Sequence, residues 1–230
     1  MGEHKFSSRA PLEGWSSYPG DEPAAGRCGL GFDRGCCTVL AMNPEHMELL
    51  RSDGWRDLLE QLIVPFALDS LTWADLGDDV LEVGPGPGTT TELLRRHLPR
   101  LTAIELDPDL ADQLREQLEG RVIVDEGDAT AMSYPNGRFS AVVMFTMCHH
   151  IPTAELQDRL FAEARRVLRP GGVLVANDSV ASVELEALHD DDVYCPVDPS
   201  RLEDRLTAVG FDSVKVRWND FGWAAHAHVV

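Results

Sequence analysis

Long apolar runs are missing from this 230-residue sequence. The longest, around 62–68 and 141–148, fall far short of the roughly 20 residues that a membrane-spanning helix needs. The N-terminal stretch MGEHKFSSRAPLEGW lacks the apolar centre of a signal peptide. No membrane partner is therefore expected. Basic residues are also scarce, with 20 Lys and Arg against 39 Asp and Glu, a formal charge of −19. Phosphate binding needs a concentrated basic surface, so this balance predicts no nucleic-acid partner. The cysteines are few and unpaired in pattern. Cys28, Cys36, Cys37, Cys148 and Cys195 are odd in number, irregularly spaced and free of any C-x-x-C pair. Neither a disulfide framework nor a zinc site is predicted, and a reducing, cytoplasmic setting fits best.

What is present is an apolar content of 43%, enough over this length for one domain with a substantial core. Residues 1–38 are rich in Gly, Pro and Ser, show no sustained periodicity, and read as a flexible arm. Asn43-Pro44 then combines an N-cap with a proline at the first helical position. Helical spacing of Met47, Leu50, Leu58, Leu59, Leu62 and Ile63 predicts two short helices ending by Pro65. Together, 39–75 read as an N-terminal helical lid.

From Val80 the pattern becomes strand, turn and helix, repeated. Strands are predicted at 80–83, 101–106, 122–124, 140–145 and 173–176. The helices between them are predicted through Leu98, over 107–118 and over 154–168. Such alternation implies an α/β fold with a doubly wound, mostly parallel sheet. After a helix near 200–209, two apolar segments at 214–218 and 223–230 are separated by only 219–222, which fits an antiparallel hairpin. The expected domain over 76–230 is thus a seven-stranded sheet closed by a C-terminal antiparallel pair.

The first strand runs into Val83-Gly84-Pro85-Gly86-Pro87-Gly88. Ligands of doubly wound sheets bind beyond the carboxyl ends of the strands, and glycines there let backbone approach a ligand closely. A dinucleotide fingerprint would need its third glycine at position 89, which is Thr89. Glu82, Gly84, Gly86 and Gly88 instead match E/D-x-G-x-G-x-G. In this the chain, from about Asn43 to Val230, resembles the class I S-adenosylmethionine-dependent methyltransferases, in particular small-molecule enzymes of a broad actinobacterial type.

The resemblance implies S-adenosylmethionine as cofactor and a Rossmann-like fold. It implies a cofactor site of Glu82, Gly84, Pro85, Gly86, Gly88, Glu105, Leu106, Asp128, Ala129 and Phe145. Glu105 ends the second strand, where a carboxylate can accept from ribose hydroxyls. Asp128 follows the third strand, where the family's acid binds the adenine amino group and the backbone of the next residue helps. Asp107 reads instead as a helix N-cap.

The acceptor loop is Phe145-Thr146-Met147-Cys148-His149-His150. His149 and His150 are the candidate catalytic bases, because imidazole holds either protonation state near neutrality; the alternative is that they only shape the loop. The D/N-P-P-aromatic motif of DNA and glutamine amine methyltransferases is absent. The catechol-type metal pattern lacks its first carboxylate, although Asn177-Asp178 resembles the second half, so no metal site is expected. The acidic segment 184–192 reads as a solvated loop, the alternative being part of an acceptor pocket with His189 a second base candidate. His226 and His228 read as facing solvent or a hydrogen-bonded edge.

The expected reaction is methyl transfer to an oxygen, nitrogen or carbon nucleophile of a small-molecule substrate. A second reading has a soft thiol or arsenite acceptor held by Cys148 and Cys195, whose positions are loosely similar to those in arsenite methyltransferases, although the surrounding residues do not match. A third is a non-catalytic S-adenosylmethionine-binding module.

Overall fold

The strands β1 (Val80–Val83) and β2 (Leu101–Glu105) are buried along their whole length, as strands covered on both faces must be. In the computed structural model, which describes residues 42–230, they belong to a seven-stranded sheet. The others are β3 (Ile123–Glu126), β4 (Phe139–Phe145), β5 (Leu168–Ser179), β6 (Asp212–Trp218) and β7 (Gly222–His228). The order is β3-β2-β1-β4-β5-β7-β6. Neighbouring pairs from β3 to β5 are parallel, while β7 runs antiparallel to both β5 and β6. This is the predicted α/β sheet with its C-terminal hairpin. The proposed arm over 1–38 lies outside the described residues.

Alternation along the strands divides the core in two. Leu81, Val83, Val142, Met144 and Leu174 face one side. There they meet Leu160, Phe161, Ala164 and Val167 of α6 (Ala154–Val167), together with Leu202 and Leu206 of α8 (Pro199–Ala208). Val80, Ala141, Val143 and Val175 face the other. They pack against Leu93 and Leu94 of α4 (Thr89–Leu94) and Leu114 and Leu118 of α5 (Pro108–Leu118). Asp107 caps α5, accepting hydrogen bonds from the N–H groups of Asp109 and Leu110.

Preceding the sheet are α1 (Pro44–Arg51), α2 (Asp53–Leu58) and α3 (Val64–Leu68). Asn43 caps α1 as its sequence suggests, accepting from the His46 N–H at 2.9 Å. The helical stretch does not stop at Pro65. A π-helical turn over Leu59–Ile63 leads into α3, and its wider pitch accommodates a ring that would clash with a carbonyl in a regular helix. The helix after the glycine turn ends at Leu94 rather than Leu98, with Leu98 still buried beyond it. A last short helix, α7 (Val183–Leu188), follows β5.

His226 is a clear departure. It is buried rather than solvent-facing, and its Nε2 lies 2.6 Å from the Ala67 carbonyl. Its partner on β5 is Val175, which shares a core cluster with Ala67 of α3, so this face of β7 is covered by α3 instead of water.

Candidate active site

Strand order reverses between β1 and β4, and a cleft opens beyond their carboxyl ends, where doubly wound sheets bind ligands. Its volume is about 1100 Å³, counting space continuous with solvent. Gly84, Pro85, Gly86, Glu105, Leu106, Asp128, Ala129 and Phe145 all line it, as does His150. Residues separated by up to 66 positions are thereby brought to one wall.

The glycine turn is held by charge as well as shape. Glu105 Oε2 accepts from the Gly86 N–H at 3.0 Å, and its Oε1 accepts from the N–H groups of Leu106 and Asp107 at 2.8 and 3.0 Å. A carboxylate offers about four lone-pair sites, so one is left for a ligand hydroxyl. Burial raises its pKa above the ordinary carboxylate value, against the pull of those three hydrogen bonds. Gly86 has φ +54°, and a Cβ built there would meet nothing within 4 Å. Asp128 Oδ1 accepts from both the N–H and the hydroxyl of Thr130 at 2.8 Å, which fixes the turn after β3.

Two predicted cofactor residues are not in the cleft wall. Gly88 has φ +85°, and a Cβ there would come within 2.3 Å of Leu114 Cδ2, so its role is to let α4 pack on α5. Glu82 lies beneath the turn, fully buried, and its Oε2 has no hydrogen-bond partner. Burial pushes its pKa up to about 8; nearby Thr91 eases this slightly, without a well-formed hydrogen bond, and Glu105 adds repulsion.

The acceptor loop leaves β4 through Thr146, whose φ of +50° is rare for a β-branched residue, and enters a 3-10 turn over Cys148–His150. Asp178, at the end of β5, holds that turn. It accepts from the His149 backbone N–H at 2.9 Å and lies 2.7 Å from His149 Nδ1. His149 itself is buried behind the cleft wall, whereas His150 lines it.

Around this pair the fold gathers two further imidazoles. His46 comes from the first turn of α1, and His189 follows α7. The His46 ring centroid is 5.2 Å from that of His150 and 4.6 Å from that of His189; the His149 and His150 rings are 4.2 Å apart. Burial, then repulsion from the neighbouring imidazoles, lowers His46 to about 4 and His150 to about 2. Burial also lowers His189. In His149 burial acts downward too, but the Asp178 carboxylate outweighs it and the pKa is raised.

The segment 184–192 is therefore not simply a solvated loop. The side chains of His189 and Asp192 turn inward, with Asp192 Oδ2 3.8 Å from His46 Nδ1 and Oδ1 4.0 Å from His150 Nδ1. His46 was not legible as a site residue, since nothing in its spacing links it to residues a hundred positions away. The cysteines fit a soft-acceptor role poorly. Cys148 does not line the cleft, and burial holds its thiol well above the ordinary value; burial raises Cys195 as well. Only thiolates are strong nucleophiles and metal ligands.

Residues 80–172 match the family described as a methyltransferase domain. The chain is similar to a Pyrococcus horikoshii OT3 protein, with 17% identity, 87% of this chain and 100% of that chain covered, and a TM-score of 0.63. It is also similar to a SAM-dependent methyltransferase from Aquifex aeolicus, at 18% identity, 82% and 99% coverage, and a TM-score of 0.60. Among curated relatives, the ribosomal RNA small subunit methyltransferase A of Cupriavidus metallidurans is 42% identical over 57 residues, 25% of this chain and 20% of that protein. The chain spans from 20% to 46% of the length of the curated relatives it matches.

The protein thus carries the fold of the class I methyltransferases. Its residues 80–172 match the methyltransferase-domain family, and the cofactor of that class is S-adenosylmethionine. The residues present suit such a ligand: a backbone cradle that a Cβ at Gly86 would begin to fill, and acids beside a compound that carries a sulfonium. One expectation is overturned. An acceptor confined to small molecules, with nucleic acid excluded, conflicts with relatives that methylate ribosomal RNA of the small subunit. The exclusion relied on net charge, which sums the whole surface, whereas recognition depends on the local field.

Among the described residues no helix is long and apolar enough to cross a membrane.

Proposed function

We propose that this protein transfers a methyl group to an oxygen, nitrogen or carbon nucleophile by in-line displacement. Bound S-adenosylmethionine supplies the methyl group from its sulfonium. The reading is carried by the convergence of Gly84, Gly86, Glu105, Asp128 and Phe145 on one cleft that also contains His150. Gly86 presents bare backbone, and Glu105 keeps one acceptor site for a ribose hydroxyl. Asp128 offers the acid for the adenine amino group, with Ala129 beside it. His150 and Asp192 line the part of the wall assigned to the acceptor. There alignment of the nucleophile supplies much of the rate.

The described helices of the 39–75 segment, α1 to α3, act as a lid in this reading. Support comes from α1, whose two ends are tied to different parts of the domain. Asn43 Nδ2 donates to the Leu188 carbonyl at 2.6 Å, and the Leu50 carbonyl accepts from the Thr89 hydroxyl at 2.7 Å. Leu50 and Trp55 line the cleft. A cytoplasmic setting is part of the same reading, supported by Cys148 and Cys195 being free thiols.

The test is calorimetric titration with S-adenosylmethionine, followed by measurement of S-adenosylhomocysteine release. Acceptors offered should include small-subunit ribosomal RNA as well as low-molecular-weight nucleophiles from a cell extract. Binding should be at least tenfold weaker in Glu105→Ala, and His150→Ala should lose turnover while keeping cofactor affinity. Absence of any heat with the unaltered chain would end the proposal.

A further inference from the structure

The geometry points to a binding site for one first-row divalent metal ion of the zinc class, held by the imidazoles of His46, His149, His150 and His189. One ring nitrogen from each lies within 4.8 Å of all the others. A tetrahedral ion with bonds of about 2.0–2.1 Å places its ligand atoms roughly 3.4 Å apart, so modest side-chain rotation closes the set.

The ring nitrogens are already sorted into ligands and supports. Among the described residues, His46 Nδ1 and the Nε2 atoms of His149, His150 and His189 are buried without a hydrogen-bond partner. On two of these rings the opposite nitrogen is engaged: His149 Nδ1 with Asp178 at 2.7 Å, and His189 Nδ1 with the Leu185 carbonyl at 2.6 Å. A metal-bound imidazole characteristically donates its other N–H to a carboxylate or backbone carbonyl, which fixes the ring and leaves the far nitrogen's lone pair for the ion. Orphaned imidazole nitrogens in a protein interior carry a desolvation cost that coordination removes.

Charge and donor type agree. A buried dication needs compensation, and the side chains of Asp178 and Asp192, both buried, supply two negative charges around the cluster. The donors are all imidazole nitrogens, which suit zinc, copper, iron and nickel rather than magnesium or calcium. The ligands come from α1, from the turn after β4 and from the end of α7, so the ion would fasten three segments beside the cleft. The carboxylate and cysteine patterns of the sequence predict no metal site. Imidazoles from three distant segments leave no such pattern.

The experiment uses the full-length chain after dialysis against a chelator, titrated with Zn²⁺ alone and separately with Co²⁺. One equivalent of Zn²⁺ should bind, and Co²⁺ should give the visible spectrum of a tetrahedral nitrogen site with no near-ultraviolet thiolate band. His46→Ala and His189→Ala should each lose that equivalent, and Asp178→Asn should weaken it about 10- to 100-fold. S-adenosylmethionine binding by the variants reports that they are folded. The proposal is overturned if the unaltered chain binds no ion, if Co²⁺ shows thiolate ligation, or if both histidine variants bind as before. Where a variant does not fold, the Co²⁺ spectrum of the unaltered chain decides. Neither metal titration involves the methyl donor, so failure here leaves the methyl-transfer reading standing.

Discussion

Gly86 and Gly88 are two residues apart in one motif and do different things. Gly86 has positive φ and open space around its missing Cβ, so Gly86→Ala should cost about 1–2 kcal/mol of stability from backbone strain alone. It should weaken cofactor binding at least tenfold. Gly88→Ala drives a methyl into Leu114, so overpacking of about 1–3 kcal/mol adds to the strain, and the melting temperature should fall further. Melting curves and calorimetry on the pair separate a ligand glycine from a packing glycine. Residues of the motif were legible in the sequence because their type and spacing are local. Which glycine served which purpose was not, because that depends on α5.

Glu82 makes a pH-dependent statement about the same turn. Its folded-state pKa, about 8, lies above the unfolded carboxyl value. The neutral carboxyl's contribution is therefore fully present below the unfolded pKa and is lost as pH rises through about 8. Urea midpoints should decline between about pH 5 and about pH 8, and Glu82→Gln, which stays neutral, should flatten that decline.

At the scale of elements, α1 is where capping and function meet. Asn43→Ala removes the N-cap and the tie to Leu188, at a cost of about 0.5–2 kcal/mol local to the helix. Hydrogen exchange should quicken over residues 44–51 and not in β4, and turnover should drop while cofactor affinity holds. Caps and strands were readable because Asn43-Pro44 and Asp107-Pro108 carry their own signals, and because β1 and β4 are apolar but for Glu82 and Ser140. The continuation through Pro65 was not readable. It passes through a π-helical turn ahead of Pro65, and Val64, Ala67 and Leu68 of the helix that follows are buried in the core beside the sheet. The gathering of His46 and His189 around His149 was equally hidden, since only the crossovers of the sheet set those distances.

For the whole molecule, a formal charge of −19 creates a field that favours a cationic ligand at a distance. Affinity for S-adenosylmethionine should therefore fall several-fold as salt rises from about 0.01 M to about 1 M, where the Debye length shrinks from roughly 30 Å to roughly 3 Å. A salt-independent Kd would show that only the cleft's own groups matter. The same net charge misled the sequence reading of partners.

Strand order also bears on how the chain is made. β7 lies between β5 and β6, and until residues 222–228 leave the ribosome β5 has one bare edge, rich in Val and Leu. Nascent chains halted before that point would present a template for pairing with other strands. Premature termination within this short interval should thus yield sticky, chaperone-bound products, although every cleft-lining residue has already been synthesised.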